Sequence, residues 1–306
     1  MMEPAKRDHS VAGRARDVSQ VIPATSTLEG GGFEVYRPFP GGVADWFDPF
    51  LLLDEMAPHY HAPGTAVGAP PHPHRGFETV TYILQGEVEH RDSAGHHGVI
   101  GPGDAQWMTA GDGIVHSEMP SERVQREGGV GHGLQLWVNL PASLRRTPPT
   151  YQALPADDMG SARGDGWSAE IIAGSLLGAT GPAATHTPVG LARVTIEPGT
   201  TLRIPTTDGH TALVYALDGV AAVGADGREL RAHHLAALVD GGGDVVLAVP
   251  EEATEPFDGI VLTGEPIGEP MARYGPFVMN THAEIQEAVA DFAAGRMGAI
   301  AATGTT

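Results

Sequence analysis

The sequence predicts an all-β chain: two tandem antiparallel β-sandwiches or barrels, followed by one helix. Three observations predict it. Turn signals built on Gly, Pro and Asp recur at short, regular intervals, with β-branched or aromatic segments between them. The 42 Gly and 25 Pro among 306 residues suit short strands joined by turns. A strand–turn pattern of the first half also returns in the second.

The elements follow in order. Residues 1–25 are polar and lack the apolar region of a secretory signal, so a disordered tail is expected. The first barrel is assigned to 26–145. Phe33 to Leu53 mixes apolar runs with the turn Pro40-Gly41-Gly42, and His59 to Pro71 reads as a loop. Thr79 to Leu84 is a strand, and Gln85-Gly86-Glu87 turns it into Val88 to His90. Turns at Ser93 to Gly95 and Gly101 to Asp104 precede strands at Gln106 to Met108 and Ile114 to His116. Gly133 to Asn139 alternates and reads as half-buried. Residues 146–168 are read as the connection, and 169–280 as the second barrel, with strands at Val189 to Ile196 and Thr211 to Leu217. Thr281 and Glu284 form a capping box that opens a helix, assigned within 281–298, and Gly295 stops it.

Composition narrows function. Cysteine is absent, so disulfides and thiolate sites are excluded and any metal is held by nitrogen and oxygen. A cytoplasmic location is expected. A net charge of −20 argues against direct nucleic-acid binding, which needs a basic surface. No internal apolar run is long enough to cross a bilayer.

The chemistry concentrates in His72-Pro73-His74 and His116-Ser117-Glu118. Residues two apart in a strand share a face. Facing Cβ atoms on adjacent strands lie about 4.5–5.5 Å apart, and metal–nitrogen bonds run about 2.0–2.1 Å. Two such pairs can close three imidazoles and a carboxylate around one ion. With 15 His, some pairs arise by chance. His59-Tyr60-His61 is read as loop, and His96-His97 and His233-His234 as exposed. Setting Tyr82 to Gly86 over Tyr215 to Gly219, and Gly103-Asp104 over Gly243-Asp244, places His72 and His74 over Pro205 and Thr207. It places His116 and Glu118 over Pro256 and Asp258. The second half then has the turns without the imidazoles.

His72 to Leu84, Gly103 to Pro120, Leu134 to Pro141 and Arg273 to Asn280 resemble motifs of the pirins, a branch of the cupin superfamily. The resemblance implies a bicupin, two tandem antiparallel β-barrels of the jelly-roll kind, with a metal in the N-terminal barrel only, held by His72, His74, His116 and Glu118. Many cupins draw the carboxylate from the first motif; here that position is Thr79, so the acid comes from Glu118. Iron(II) is the cofactor implied, although Mn, Co, Ni, Cu or Zn suit the same donors. Some pirins resemble quercetin 2,3-dioxygenases, which implies a flavonol and O2 as substrates and release of carbon monoxide. Glu118 would then balance charge and move the substrate proton, with Glu78 able to do so from behind the ligands. Met108, Gln135 and Trp137 are expected as core. The alternative is a non-enzymatic, redox-sensing regulator that binds a protein partner; a zinc-stabilised structural module is a third reading.

Overall fold

The alternation along Phe77–Gln85 sets the architecture: Val80 and Tyr82 face one way, Thr79 and Thr81 the other. The computed structural model describes residues 13–39, 47–239 and 241–301. Each half is a seven-stranded sheet with a four-stranded sheet, and every ladder is antiparallel. In the first half the large sheet runs Thr150–Leu154, Ala105–Thr109, Phe77–Gln85, Gly129–Asn139, Phe50–His61, Phe33–Arg37, Thr25–Glu29. The small sheet runs Ala69–His74, Ile114–Pro120, Val88–Asp92, His97–Ile100. The second half repeats the plan. Its large sheet is Val18–Pro23, His234–Leu238, Thr211–Asp218, Phe257–Gly264, Val189–Ile196, Trp167–Ala173, Gly160–Gly164, and its small sheet is Thr201–Thr206, Gly243–Ala248, Val220–Val223, Arg228–Arg231.

The two large sheets pack back to back. Val80, Tyr82, Leu134 and Leu136 of one meet Leu213, Tyr215, Ile260 and Leu262 of the other. Burying each such side chain contributes about 1.5–3 kcal/mol. Polar clamps cross the same junction. Glu55 is fully buried and accepts from His132 Nε2 at 2.9 Å, Tyr215 Oη at 2.6 Å and His233 Nδ1 at 2.8 Å. Burial pushes its carboxyl up, but these three donors outweigh it and hold the group below the ordinary range.

Several expectations are corrected. Val18–Pro23 is no tail: it forms a strand paired with His234–Leu238, and Val18 enters the second barrel's core. Arg16 fastens it by donating to His210 O at 2.7 Å and Thr207 O at 2.9 Å. A sheet edge offers unpaired backbone groups, and this segment satisfies them. Residues 1–12 lie outside the described residues, as does the whole of the expected turn Pro40-Gly41-Gly42. The connection at 146–168 holds two strands, one extending each large sheet. His59 and His61 end a 12-residue strand rather than lying in a loop. His233 is half-buried on Glu55, not exposed. A short helix, Glu122–Glu127, capped by Ser121, was not anticipated.

The C-terminal helix is His282–Ala293, with both bonds of the Thr281/Glu284 capping box formed. It packs, with the hairpin of Ala272–Tyr274 and Phe277–Met279, on the first barrel: Phe277, Met279, Ile285 and Ala288 cluster with Val115. Buried Arg75 binds Asp291 at 2.7 Å, and its backbone pairs with Pro276 and Val278. Gly76 is required there: its φ is +88°, and a Cβ would sit 1.8 Å from Val278 O. Among the described residues, no helix is long and apolar enough to cross a membrane.

Candidate metal centre

Ala69–His74 and Ile114–Pro120 lie side by side, with His116 opposite His72 and Ile114 opposite His74. Their inward faces bring three imidazoles together. His72 Nε2 lies 3.0 Å from His74 Nε2 and 2.9 Å from His116 Nε2. His72 Nδ1 is 2.8 Å from Pro70 O, so Nδ1 carries the hydrogen and Nε2 keeps its lone pair for a ligand. His74 is held edge-on by Phe77 and Trp137. Burial, then the neighbouring imidazoles, holds His74 and His116 well below the ordinary histidine range. Neutral imidazole is the ligating form.

The residues present fit a metal. Three ring nitrogens converge on one point with no carboxylate inside their cluster to neutralise protonated rings. Two nitrogens each about 2.0–2.1 Å from an ion lie about 2.9 Å apart at right angles and about 3.4 Å apart at a tetrahedral angle. The two short edges of the triangle match the right angle.

Glu118 stands beside the cluster rather than in it. The ladder is irregular between His116 and Glu118. The buried carboxylate accepts from Thr81 Oγ1 at 2.5 Å and Gln106 Nε2 at 2.6 Å, both on Oε1. Gln106 Oε1 in turn accepts from Tyr151 Oη at 3.2 Å. Burial, then the Glu118 and Asp92 charges, pushes the Tyr151 phenol up to about 12, so it stays a donor. Glu78 is corrected. It shares the Val80/Tyr82 face and points between the barrels, where it accepts from Thr109 Oγ1 and His186 Nδ1, each at 2.8 Å. One residue of offset puts it across the sheet from the histidines, so it cannot reach them.

Ladder registers give the true counterparts in the second barrel. His116 lies between His72 and Asp92, as Leu247 lies between Leu202 and Val223. His74 then corresponds to Ile204 and Glu118 to Val249. Likewise Thr81, Gln106, Gln135 and Asp54 correspond to Val214, Ala236, Val261 and Ala192. This replaces the expected match to Pro205, Thr207, Pro256 and Asp258. Gly103-Asp104 superposes on His233-His234, because Ala105 opposes Tyr82 as Leu235 opposes Tyr215. The contrast between halves becomes sharper: all eight counterparts are apolar and belong to one packed core.

The polar barrel holds two cavities. A cavity of about 540 Å³ is lined by His72, His74, Trp137 and Arg273, and one of about 440 Å³ by Glu118, Ile83 and His61. Phe33, Met56 and Gln135 border both. Met108 is core, as expected, whereas Gln135 and Trp137 line the cavities. Sequence reasoning gave no role to Arg273, although its motif had been singled out. Deeper in, buried His90 stacks on Tyr151 and meets Asp92, which also accepts from His96 Nδ1 at 2.8 Å.

Comparison with known proteins agrees with this geometry. The family model Pirin matches residues 32–138, and that for the Pirin C-terminal cupin domain matches 191–298. A pirin-like protein of Solanum lycopersicum is 41% identical over 290 residues, covering 94% of this chain and 95% of its own. Human pirin is 38% identical over 283 residues, covering 92% and 93%. A crystal structure titled quercetin 2,3-dioxygenase from Acinetobacter baumannii superposes with a TM-score of 0.87 at 39% identity, covering 94% of this chain and 99% of that one. A polar, histidine-lined barrel back to back with an apolar copy of itself, and matches along both halves, lead to one conclusion: the chain belongs to the pirin family, as a bicupin.

Proposed function

We propose that this protein is an iron(II)-dependent dioxygenase that cleaves quercetin or a related flavonol with O2 and releases carbon monoxide. The observation that carries the reading is the three-imidazole cluster, of which His72 and His74 line a cavity, within the polar one of the two barrel interiors among the described residues. Cavities of this size suit a small organic ligand. The similarity to the Acinetobacter protein supports the substrate class.

In this reading His72, His74 and His116 would hold the ion, and Glu118 would complete the set with Oε2, the oxygen not engaged by Thr81 and Gln106. The ion, when bound, supplies Lewis acidity and sites for the flavonol oxygen and O2. The chain does the rest. The Pro70 carbonyl fixes the His72 ring, and Phe77 and Trp137 fix His74. Glu118 would take the proton of the substrate's 3-hydroxyl on Oε2 after leaving the ion. Trp137 and Phe33 offer flat apolar walls to a planar ring and keep water from it. Without cysteine, the chain suits a reducing compartment such as the cytoplasm.

The test is aerobic incubation of quercetin with Fe(II)-loaded protein, with carbon monoxide measured and His116→Leu as control. Carbon monoxide from the wild type alone supports the reading. A metal-filled protein that turns over no flavonol refutes it and favours the regulator that signals through a protein partner.

A further inference from the structure

The wall facing His72 and His74 is completed from the far end of the chain. The hairpin of Ala272–Tyr274 and Phe277–Met279 docks on the first barrel, and Arg273 reaches the cavity there. Its guanidinium lies 4.7 Å over the Trp137 ring, and Trp137 contacts the His74 ring at 5.3 Å. Nη1 donates to Leu51 O at 3.1 Å. Among the described residues, Nε and Nη2 have no acceptor and no carboxylate lies within 4.0 Å of the group. Arg37, on the same cavity, is by contrast neutralised by Asp54 and Glu29. Asp54 and Glu29 act on Arg273 only from a distance, and both are already paired with Arg37. In a chain of net charge −20, a solvent-accessible cation on a cavity wall with no carboxylate in direct contact is suited to a visiting anion.

We propose that Arg273 is the substrate-positioning residue of the metal cavity, selecting planar aromatic ligands that carry an ionised oxygen. The proposal rests on the dioxygenase reading for its ligand class. The free Nε/Nη2 edge is the two-pronged donor that matches paired oxygens on one ring. Stacking on Trp137 fixes that edge in place and costs little entropy on binding. The selective element for a site in one barrel thus arrives from the segment that follows the other.

The experiment uses Fe(II)-loaded protein without air and 4-nitrocatechol, a chelating phenol whose absorbance reports its ionisation. Wild type is expected to bind the anion, with affinity falling as salt rises. Arg273→Gln is expected to raise Kd roughly tenfold and flatten the salt dependence at unchanged metal content. Arg273→Lys should recover part of the loss, because charge returns without the planar edge. In quercetin turnover KM should rise for Arg273→Gln while kcat changes little. A Kd within twofold of wild type, or no binding by the metal-filled wild type, overturns the proposal. Quercetin turnover alongside an unaffected Kd would sink this inference alone. Arg273-dependent binding without turnover would sink the dioxygenase reading and leave this one standing.

Discussion

The second barrel supplies the substitution that best tests the first. Leu247 occupies the ladder position of His116, so His116→Leu installs the residue the fold uses when no ligand is needed. His116 is completely buried and its Nδ1 has no hydrogen-bond partner. A buried unpaired polar group costs about 1–3 kcal/mol, and a similar-sized apolar side chain removes that cost at under about 1.5 kcal/mol of strain. The metal-free variant should therefore be about 1–2 kcal/mol more stable than the metal-free wild type at pH 7. The gain should grow in acid. The native pKa of His116 is depressed, so the unfolded chain takes up a proton that the native state refuses. Wild-type stability is thus complete above about pH 6.5 and lost as pH falls below it, and the variant sheds one such group. Metal reverses the ranking: at a hundred times Kd it stabilises the wild type by about 2.7 kcal/mol and the variant not at all. Urea unfolding of chelator-treated protein at pH 7 and 5.5, with and without Fe(II), reads all three effects. A metal-free variant less stable than the metal-free wild type, or one still stabilised by metal, would refute the reasoning.

Three further outcomes are expected. Gln106→Ala should weaken metal binding about 10–100-fold, measured calorimetrically, because it releases one of the two donors that hold Glu118 Oε1. Glu78→Gln should leave metal content unchanged yet cost about 1–3 kcal/mol, because its buried carboxylate accepts from Thr109 and His186. The hydrogen bond to Glu78 raises the His186 pKa, so its part of that cost is present below about pH 6.5 and fades as pH rises through the raised value; a pH series of unfolding midpoints shows this. Gly76→Ala should expose the Ala272–Met279 segment to limited proteolysis, since the new Cβ strikes Val278 O.

The site was legible because its code is local. His72 and His74 share one strand and His116 lies on its neighbour, so period two brings the three rings together; the irregular ladder after His116 leaves Glu118 beside them. The same arithmetic could have excluded Glu78, whose parity on its strand is that of Val80 and Tyr82 rather than Thr81. Partnerships across the chain were less legible. Val18–Pro23 is only six residues long, and nothing local says that its partner is His234–Leu238. The Gly-Asp dipeptides at 103 and 243 misled the superposition because turn residues recur wherever chains reverse; only ladder register separates a counterpart from a look-alike. Arg273 was missed because a cation acquires meaning from what it faces, and it faces a cavity built two hundred residues earlier.

The crossed ends carry one more consequence. Among the described residues, the first strand is an edge strand of the second barrel, and the last hairpin and helix are strapped to the first. A protein cut at residues 155–159 would give two fragments, each holding a piece the other requires. Neither barrel can therefore melt alone without tearing a strand or a strap from its neighbour. Heating should produce one transition where two barrels might suggest two, and an ion seated in the first barrel should delay the collapse of the second.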